Sequence, residues 1–178
     1  SDLAELEAEL CRYTGSETCV TCANGTDALV MTLLAKGIGP GDAVFVPTFT
    51  YVATAGAVCL VGATPVFCDV DLASANLSAA DLANKITRTR RKSDLTPRAV
   101  IPVDLYGLPA NYGAIVPVAE DENLLVIADA AQAMGASVGD RKVGTLAHVT
   151  TVSFFPTKPL GCAGDGGAIL CDDPDLAA

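Results

Sequence analysis

The strongest constraint on the fold is the alternation along the chain of short apolar runs with longer stretches of helical pattern. Strand-like runs that alternate with helices indicate βαβ units, in which helices connect parallel strands and cover the sheet. The sequence therefore predicts an α/β fold with a three-layer, mostly parallel, seven-stranded sheet flanked by helices. The predicted strands are Thr18–Ala23, Ala43–Pro47, Thr64–Cys68, Ala99–Val103, Leu124–Asp129, Thr150–Phe154 and Gly167–Cys171.

Turn and capping residues mark the helices between these strands. The glycine-rich segment Gly37–Gly41 is typical of a helix end. Ser78 followed by Asp81 is typical of a helix start, because a hydroxyl can cap the first turn and an acid is favourable there. The predicted helices are Thr26–Gly37, Val52–Val61, Ser78–Ile86 and Tyr112–Asn123.

The composition fits one domain built around such a sheet. The chain has 178 residues, of which 51% are apolar and 18% charged, and this balance suits strands covered on both faces. A net charge of −10 argues against nucleic-acid binding, and the one basic cluster, Arg88 to Lys92, is interpreted as a solvated loop. No apolar run is long enough to span a bilayer, and no signal-peptide pattern opens the chain.

The cysteines indicate a reducing compartment. Their number is seven, which is odd, and most of them lie in apolar surroundings where a thiol acts as a small hydrophobe. Cys19 and Cys22 form a C-x-x-C pair, but residues three apart in a strand face opposite sides, so shared metal ligation is disfavoured. We therefore expect no metal site and a cytoplasmic location.

The polar residues that follow the strands are expected to meet at one edge of the sheet. In an open α/β sheet, ligands bind beyond the carboxyl ends of the strands. Convergence of several such residues on one edge is a stronger signal than any single motif. The residues in question are Gly25 and Thr26 after the first strand, Tyr51 after the second, Asp104 after the fourth, Asp129 at the end of the fifth and Ser153 in the sixth.

Lys158 is the strongest candidate for covalent chemistry. It stands between Pro156 and Pro159 in a glycine-rich segment with almost no other charge, which favours a packed active-site loop over a solvated face. A lysine amine held in such a loop can form an imine with an aldehyde.

A phosphate cradle is predicted at Gly25 and Thr26. Gly25 permits a close approach of the backbone, Thr26 can cap the helix that follows, and free N–H groups at a helix start bind phosphate. Ser153 is a candidate for a further hydroxyl contact. A simple helix cap and an ordinary turn serine stay open as alternatives.

Asp129 is a candidate partner for a protonated ring nitrogen. It ends the apolar run that begins at Leu124, where a carboxylate is costly unless it is paired; a helix N-cap is the alternative. Gln132 is a candidate for a hydrogen bond to the ring hydroxyl, and the alternative is an amide that faces solvent. Tyr51 is a candidate for stacking on the ring, with core packing as its alternative, whereas Phe49 is expected in the core. A phosphate cradle, a buried acid and an imine lysine are three parts of a pyridoxal 5′-phosphate (PLP) site.

At these residues the chain resembles the DegT/DnrJ/EryC1/StrS family, the PLP-dependent nucleotide-sugar aminotransferases with the aspartate-aminotransferase fold. The resemblance extends from Glu5 to Asp173, and the order of its motifs is highly specific. The matching segments are Asn24–Leu29, Gly37–Asp42, Val46–Thr54, Gly62–Val66, Leu105–Gly107, Asp129–Gln132 and Ser153–Lys158.

The resemblance assigns a role to each candidate residue. Lys158 resembles the Schiff-base lysine and proton shuttle, and Asp129 the partner of the pyridine nitrogen. Gln132 matches the residue beside the ring hydroxyl, and Tyr51 fits the ring-stacking position. The phosphate contacts are matched by Gly25, Thr26 and Ser153.

The resemblance also implies a reaction and its setting. The implied reaction transfers an amino group, typically from L-glutamate, to a keto group of a nucleotide-linked sugar, for cell-surface polysaccharide or amino-sugar biosynthesis. A homodimer usually completes the site. Residues 1–178 would be the PLP-binding large domain, incomplete at its N-terminal edge and without the family's small C-terminal domain. For this chain alone, an active enzyme and an inactive truncated one both stay open.

Two departures and two alternatives qualify the resemblance. Many members carry histidine at Asp104 and asparagine at Pro159, and the segment Lys158–Cys162 is similar to members that aminate a UDP-3-keto-N-acetylglucosaminuronic acid for lipopolysaccharide. A non-catalytic fragment or sensor domain of the same fold is the alternative from another class. A dinucleotide-binding Rossmann domain is disfavoured because no G-x-G-x-x-G follows the first strand.

Overall fold

The computed structural model describes residues 1–173 as an open α/β sheet covered on both faces. The helices are α1 (Asp2–Thr14), α2 (Gly25–Ala35), α3 (Ala53–Leu60), α4 (Ala79–Lys92) and α5 (Tyr112–Asp121). The strands are β1 (Thr18–Cys22), β2 (Asp42–Pro47), β3 (Thr64–Cys68), β4 (Thr96–Val100), β5 (Leu125–Asp129), β6 (Ser137–Val138), β7 (Arg141–Lys142), β8 (Val149–Ser153) and β9 (Gly167–Cys171).

The main sheet has seven strands in the order β1-β9-β8-β5-β4-β2-β3, which confirms the predicted α/β class. The run from β3 through β2, β4 and β5 to β8 is parallel. β9 is antiparallel to both of its neighbours, β8 and β1. The carboxyl ends of β1, β2, β4, β5 and β8 therefore lie along one edge.

Alternating strand residues fill a hydrophobic core on each face of the sheet and so build the three predicted layers. Phe45 of β2 points to the face covered by α1, α4 and α5. There it belongs to the same hydrophobic cluster as Ile86 and Ile115. Val44, its neighbour in the strand, points to the opposite face, which is covered by α2 and α3 through residues such as Leu33. Period-2 alternation in strands and one apolar stripe per helix produce this arrangement.

Three elements differ from the sequence prediction. Helix α1 was missed, although Ser1 caps it, Gly15 ends it with φ 90°, and acidic residues occupy its first turn. Helix α4 continues to Lys92, so the basic cluster lies at a helix C-terminus and not in a loop; cations there are favourable to the helix dipole. Strand β4 begins at Thr96, because it pairs with β2 from Asp42 onward.

The fold has three further features. The small hairpin β6–β7, which turns at Gly139 with φ 58°, was also missed. The seven cysteines are all free, and Cys19 and Cys22 pack against different hydrophobic clusters, as residues three apart in a strand should. Within residues 1–173, no helix combines the length and the apolar character needed to cross a membrane.

Adjacent leucines in α2 provide a test of the two-faced core. Leu33 is 0% exposed and Leu34 is 58% exposed. We expect Leu33→Ala to lower the free energy of unfolding by roughly 2–5 kcal/mol, because it leaves a cavity between α2 and the sheet. Leu34→Ala, the matched control, should change it by less than about 0.5 kcal/mol. Urea denaturation of both variants measures the difference, and equal effects would contradict the assignment of faces.

Candidate active site

A cavity of about 650 Å³ lies at the carboxyl edge of the parallel strands. Its volume is in the range of small-molecule and cofactor sites. Of the polar residues that were expected to meet at this edge, the structure brings all except Asp104 to the cavity wall. Seven residues predicted for the site line the cavity: Gly25, Thr26, Tyr51, Asp129, Gln132, Ser153 and Lys158.

The start of α2 forms one wall of the cavity. Asn24, and not Thr26, caps this helix, because its Oδ1 accepts from the backbone N–H of Asp27 at 2.9 Å while its Nδ2 donates to the Asp27 carboxylate at 3.0 Å. The prediction of Thr26 as the cap was therefore wrong. Thr26 lies inside the first turn, where the N–H groups of Gly25 and Thr26 have no intrahelical partners.

Two glycines let α2 approach the sheet closely. A Cβ on Gly25 would lie 2.7 Å from Cβ of Ser153, and a Cβ on Gly167 would lie 2.6 Å from the carbonyl carbon of Asn24. Any side chain at either position would push the helix start away from β8 and β9. Ser153 is the last residue of β8; its hydroxyl accepts a hydrogen bond from the N–H of Phe155 at 3.3 Å, and the residue also lines the cavity.

Asp129 places a buried carboxylate at the end of β5. It is 7% exposed; Oδ2 accepts from the hydroxyl of Thr54 at 2.8 Å and Oδ1 from the N–H of Ala131 at 3.3 Å. Burial raises the pKa of Asp129, and these two hydrogen bonds and the charge of Lys158 oppose that rise. The following residues form a turn and not a helix, so Asp129 is not a helix N-cap.

Lys158 and Tyr51 lie on the open side of the cavity. The Lys158 Nζ is 6.0 Å from the centroid of the Tyr51 ring, and Lys158 is half-buried. The segment around it is not the packed loop that the sequence predicted, because Phe155 and Leu160 are 48% and 41% exposed. Core packing was also the wrong expectation for Phe49, which is 51% exposed.

Gln132 lies at the back of the cavity with a fixed orientation. Its Oε1 accepts from the backbone N–H of Tyr106 at 2.7 Å, and the side chain is half-buried. A freely solvated amide, the alternative reading, does not describe this contact. Asp104, by contrast, does not line the cavity but is buried behind it.

Sequence reasoning missed several residues of the cavity wall. Thr54 is buried and is not part of the wall. It binds Asp129 and lies inside the matching segment Val46–Thr54, where it could have been found. Most of the wall residues that were missed also lie inside matching segments, whereas Val103 and Asp165 lie outside them. Besides the predicted seven, the wall includes Asn24, Asp27, Leu29, Thr50, Ala53, Val103, Ala131, Phe155, Thr157 and Asp165.

The arrangement combines four chemical groups within one cavity: helix N–H donors, a buried acid, an amide and an amine. A family model for the DegT/DnrJ/EryC1/StrS aminotransferase family matches residues 1–178. The chain belongs to this family. Four of the matching segments contribute residues to the cavity wall: Asn24–Leu29, Val46–Thr54, Asp129–Gln132 and Ser153–Lys158.

Relatives and solved structures agree with this membership. The chain is 48% identical to a UDP-2-acetamido-2-deoxy-3-oxo-D-glucuronate aminotransferase of Pseudomonas aeruginosa, over 99% of this chain and 47% of that protein. It is 45% identical to a GDP-perosamine synthase of Caulobacter vibrioides, over 99% of this chain and 45% of that protein. The chain thus spans about half the length of the curated relatives it matches.

The fold matches solved structures of the same family. A DegT DnrJ EryC1 StrS aminotransferase from Brucella abortus superposes with a TM-score of 0.97 at 51% identity, covering 99% of this chain and 47% of that one. The PLP form of a sugar aminotransferase from Streptococcus pneumoniae superposes with a TM-score of 0.89 at 28% identity, covering 98% of this chain and 47% of that one. The predicted fold class is confirmed.

The close approach of α2 to β8 makes Gly25 a sensitive position. We expect Gly25→Ala to lower the free energy of unfolding by about 1–3 kcal/mol and to displace the helix start, because the new methyl group meets Ser153. Gly56→Ala is the matched control: Gly56 lies in α3, and a Cβ there meets nothing within 4 Å. Thermal unfolding of both variants measures the effect, and a Gly25→Ala protein as stable as the control would contradict this contact.

Proposed function

We propose that this chain binds PLP in the cavity and belongs to an enzyme that transfers an amino group to a nucleotide-linked keto-sugar. The single observation that carries the proposal is the common cavity of Lys158, Asp129 and the start of α2. The chemistry of these groups fits PLP: free helix N–H groups suit a phosphate, a desolvated acid suits a ring cation, and an amine suits an aldehyde.

Each residue has a defined task in the proposed reaction. PLP, when bound, supplies an electron sink for the substrate carbon next to nitrogen. The N–H groups of Gly25 and Thr26, with the Ser153 hydroxyl, hold the phosphate. The Asp129 carboxylate, which Thr54 holds in place, would accept a hydrogen bond from the protonated ring nitrogen and so favour the charged form of the ring. Lys158 Nζ would hold the cofactor, and the same amine would act as the base that moves the proton at the substrate carbon.

The names of the relatives support the substrate class. The P. aeruginosa protein is named for a 3-oxo UDP-sugar acid, and other relatives are named as GDP-perosamine synthase and as a dTDP-amino-sugar transaminase. By similarity, we infer a nucleotide-linked keto-sugar as the acceptor and L-glutamate as the amino donor, in cell-surface polysaccharide or amino-sugar biosynthesis. The seven free cysteines favour a cytoplasmic setting.

The exposed apolar rim of the cavity supports a homodimer. Tyr51 and Phe155 line the cavity and are 67% and 48% exposed, and Phe49, two residues before Tyr51, is 51% exposed. Contiguous apolar groups of this kind mark surfaces that another chain covers. We infer that residues 1–178 form the cofactor-binding large domain and that a second subunit closes the cavity over Tyr51 and Phe155.

A sensor or other non-catalytic role is the second candidate. Two relatives, at 43% and 42% identity, are named as a pleiotropic regulatory protein and as a sensory transduction protein. Such a protein could retain the fold without the chemistry of Lys158. The two functions differ in whether the amine binds PLP covalently.

The Lys158→Ala variant tests covalent binding. We expect the wild-type protein mixed with PLP to show a visible absorption band that borohydride abolishes, with the cofactor then fixed to Lys158 in a peptide mass spectrum. Lys158→Ala should lose the band and the mass label. Lys92→Ala, which removes an exposed lysine at the end of α4, should keep both. A folded wild-type protein with no band favours the non-catalytic role.

The Asp129→Asn variant tests the role of the acid. We expect the variant to bind PLP and to lose transamination by about 10- to 100-fold, because a charge-assisted hydrogen bond to the ring is replaced by a neutral one. Asp140→Asn, in the exposed β6–β7 turn, should retain wild-type turnover. The measurement is amino transfer from glutamate to a panel of nucleotide keto-sugars. Wild-type turnover in Asp129→Asn would remove this acid from the mechanism.

A further inference from the structure

A second buried acid, Asp104, lies directly behind the cavity. It is 0% exposed, and its Oδ1 accepts from the N–H of Ala110 and from the hydroxyl of Tyr112, both at 2.8 Å. Its Oδ2 is buried without a hydrogen-bond partner among residues 1–173. Its backbone N–H donates to the carbonyl oxygen of Asp129 at 3.0 Å, so the two acids stand at the ends of adjacent strands.

The hydrogen bonds of Asp104 close a strained turn. Between Asp104 and Ala110 the chain makes a short 3-10 turn in which Tyr106 has φ 56° and Gly107 has φ 84°. A tyrosine in the left-handed region is costly and persists only where its surroundings impose it. The Tyr106 side chain is 75% exposed and supplies little packing, so the anchors on either side of the turn must impose it.

The strained turn aims one backbone donor at the cavity wall. The N–H of Tyr106 donates to Gln132 at 2.7 Å, and a backbone N–H can only donate. The Gln132 atom at this contact is therefore its oxygen, and the amide nitrogen is the end left for the cavity. Gln132 consequently presents two N–H donors to a ligand, which selects an acceptor such as a phenolate oxygen.

We propose that Asp104 is a positioning residue: its carboxyl group clamps the turn at residues 104–110, and through the Tyr106 N–H it fixes the amide of Gln132 with its donors toward the ligand. The inference rests on the proposed function for the identity of that ligand, the ring oxygen of PLP. The clamp itself is a property of the chain without any cofactor.

The clamp is expected to depend on pH near neutrality. Burial, the largest cause, raises the pKa of Asp104 to about 7, against the two hydrogen bonds from Ala110 and Tyr112, and the charge of Asp129 adds to the rise. Tyr112 on α5 and Asp129 on β5 are the titratable groups that act on it; Lys158 acts on Asp129 in turn. Because the folded pKa lies above the unfolded one, the neutral acid favours the folded clamp, and this stabilisation is lost as pH rises through about 7.

The test is made by NMR on the cofactor-free protein. The readouts are the hydrogen exchange of the Tyr106 amide, corrected for its intrinsic pH dependence, and the side-chain amide resonances of Gln132. In the wild type, both should change with a midpoint near pH 7, with faster exchange on the alkaline side. Asp104→Asn keeps the Oδ1 acceptor and cannot ionise. In this variant the Tyr106 amide should be protected from exchange as in the wild type at low pH, and neither readout should show the midpoint. Asp104→Ala should speed the exchange by about tenfold or more.

Two further variants make the test decisive. Asp42→Asn changes another buried acid, at the opposite edge of the sheet, and should leave both readouts as in the wild type. If Asp104→Ala does not fold, Tyr112→Phe replaces it: losing the Tyr112 hydrogen bond should raise the midpoint by about one pH unit. Unchanged Tyr106 exchange in Asp104→Ala, a wild-type midpoint in Asp104→Asn, or an unmoved midpoint in Tyr112→Phe would each overturn the proposal. None of these readouts uses PLP. A missing absorption band in the Lys158 experiment would therefore contradict the proposed function without affecting the test of the clamp.

Discussion

The buried carboxylate of Asp129 is the constraint on which the rest of the site depends. An acid at the end of a strand whose other residues are apolar has lost most of its hydration, and burial accordingly raises its pKa. Thr54 comes from α3 and Ala131 from the following turn, so two separate elements must be in place for both oxygens to be paired. A ring cation from the cavity side would add the missing counter-charge. The site therefore requires the whole carboxyl edge of the sheet, and not one loop.

The sequence predicted the class of fold and seven residues of the cavity wall because both follow from local sequence patterns. Apolar periodicity locates the strands and helices. Because ligands bind at the carboxyl ends of the strands, Gly25, Asp129 and Ser153 are then predicted to lie at one edge of the sheet, and this prediction needs no knowledge of strand order. The order itself, with antiparallel β9 between β1 and β8, depends on contacts between distant segments and has no local signal. Helix α1 is a different case: its cap and acidic first turn were present and were overlooked.

The errors at the site share one physical cause, which is that side-chain environment is a tertiary property. Asn24 and Thr26 are both good capping residues. Which of them caps the helix depends on where β1 ends and α2 begins. The prolines, the glycines and the scarcity of charge around Lys158 predict a packed loop, yet Phe155 and Leu160 are exposed. The same apolar residues are consistent with burial against a second molecule, which a single sequence does not distinguish from burial in its own core.

The two acids at the sheet edge illustrate how one environment can separate two roles. Asp129 faces the cavity and receives a hydroxyl bond, a backbone bond and the field of Lys158, whereas Asp104 faces the interior with one oxygen unpaired. Because each charge raises the pKa of its neighbour, ionising both is unfavourable, and the acid nearer to a cation is the one that should carry the charge. Asp104 then serves best as a neutral hydrogen-bonding group that holds the Tyr106 turn. The backbone N–H of Ala110 and the hydroxyl of Tyr112 supply the two donors that hold its carboxyl group in place.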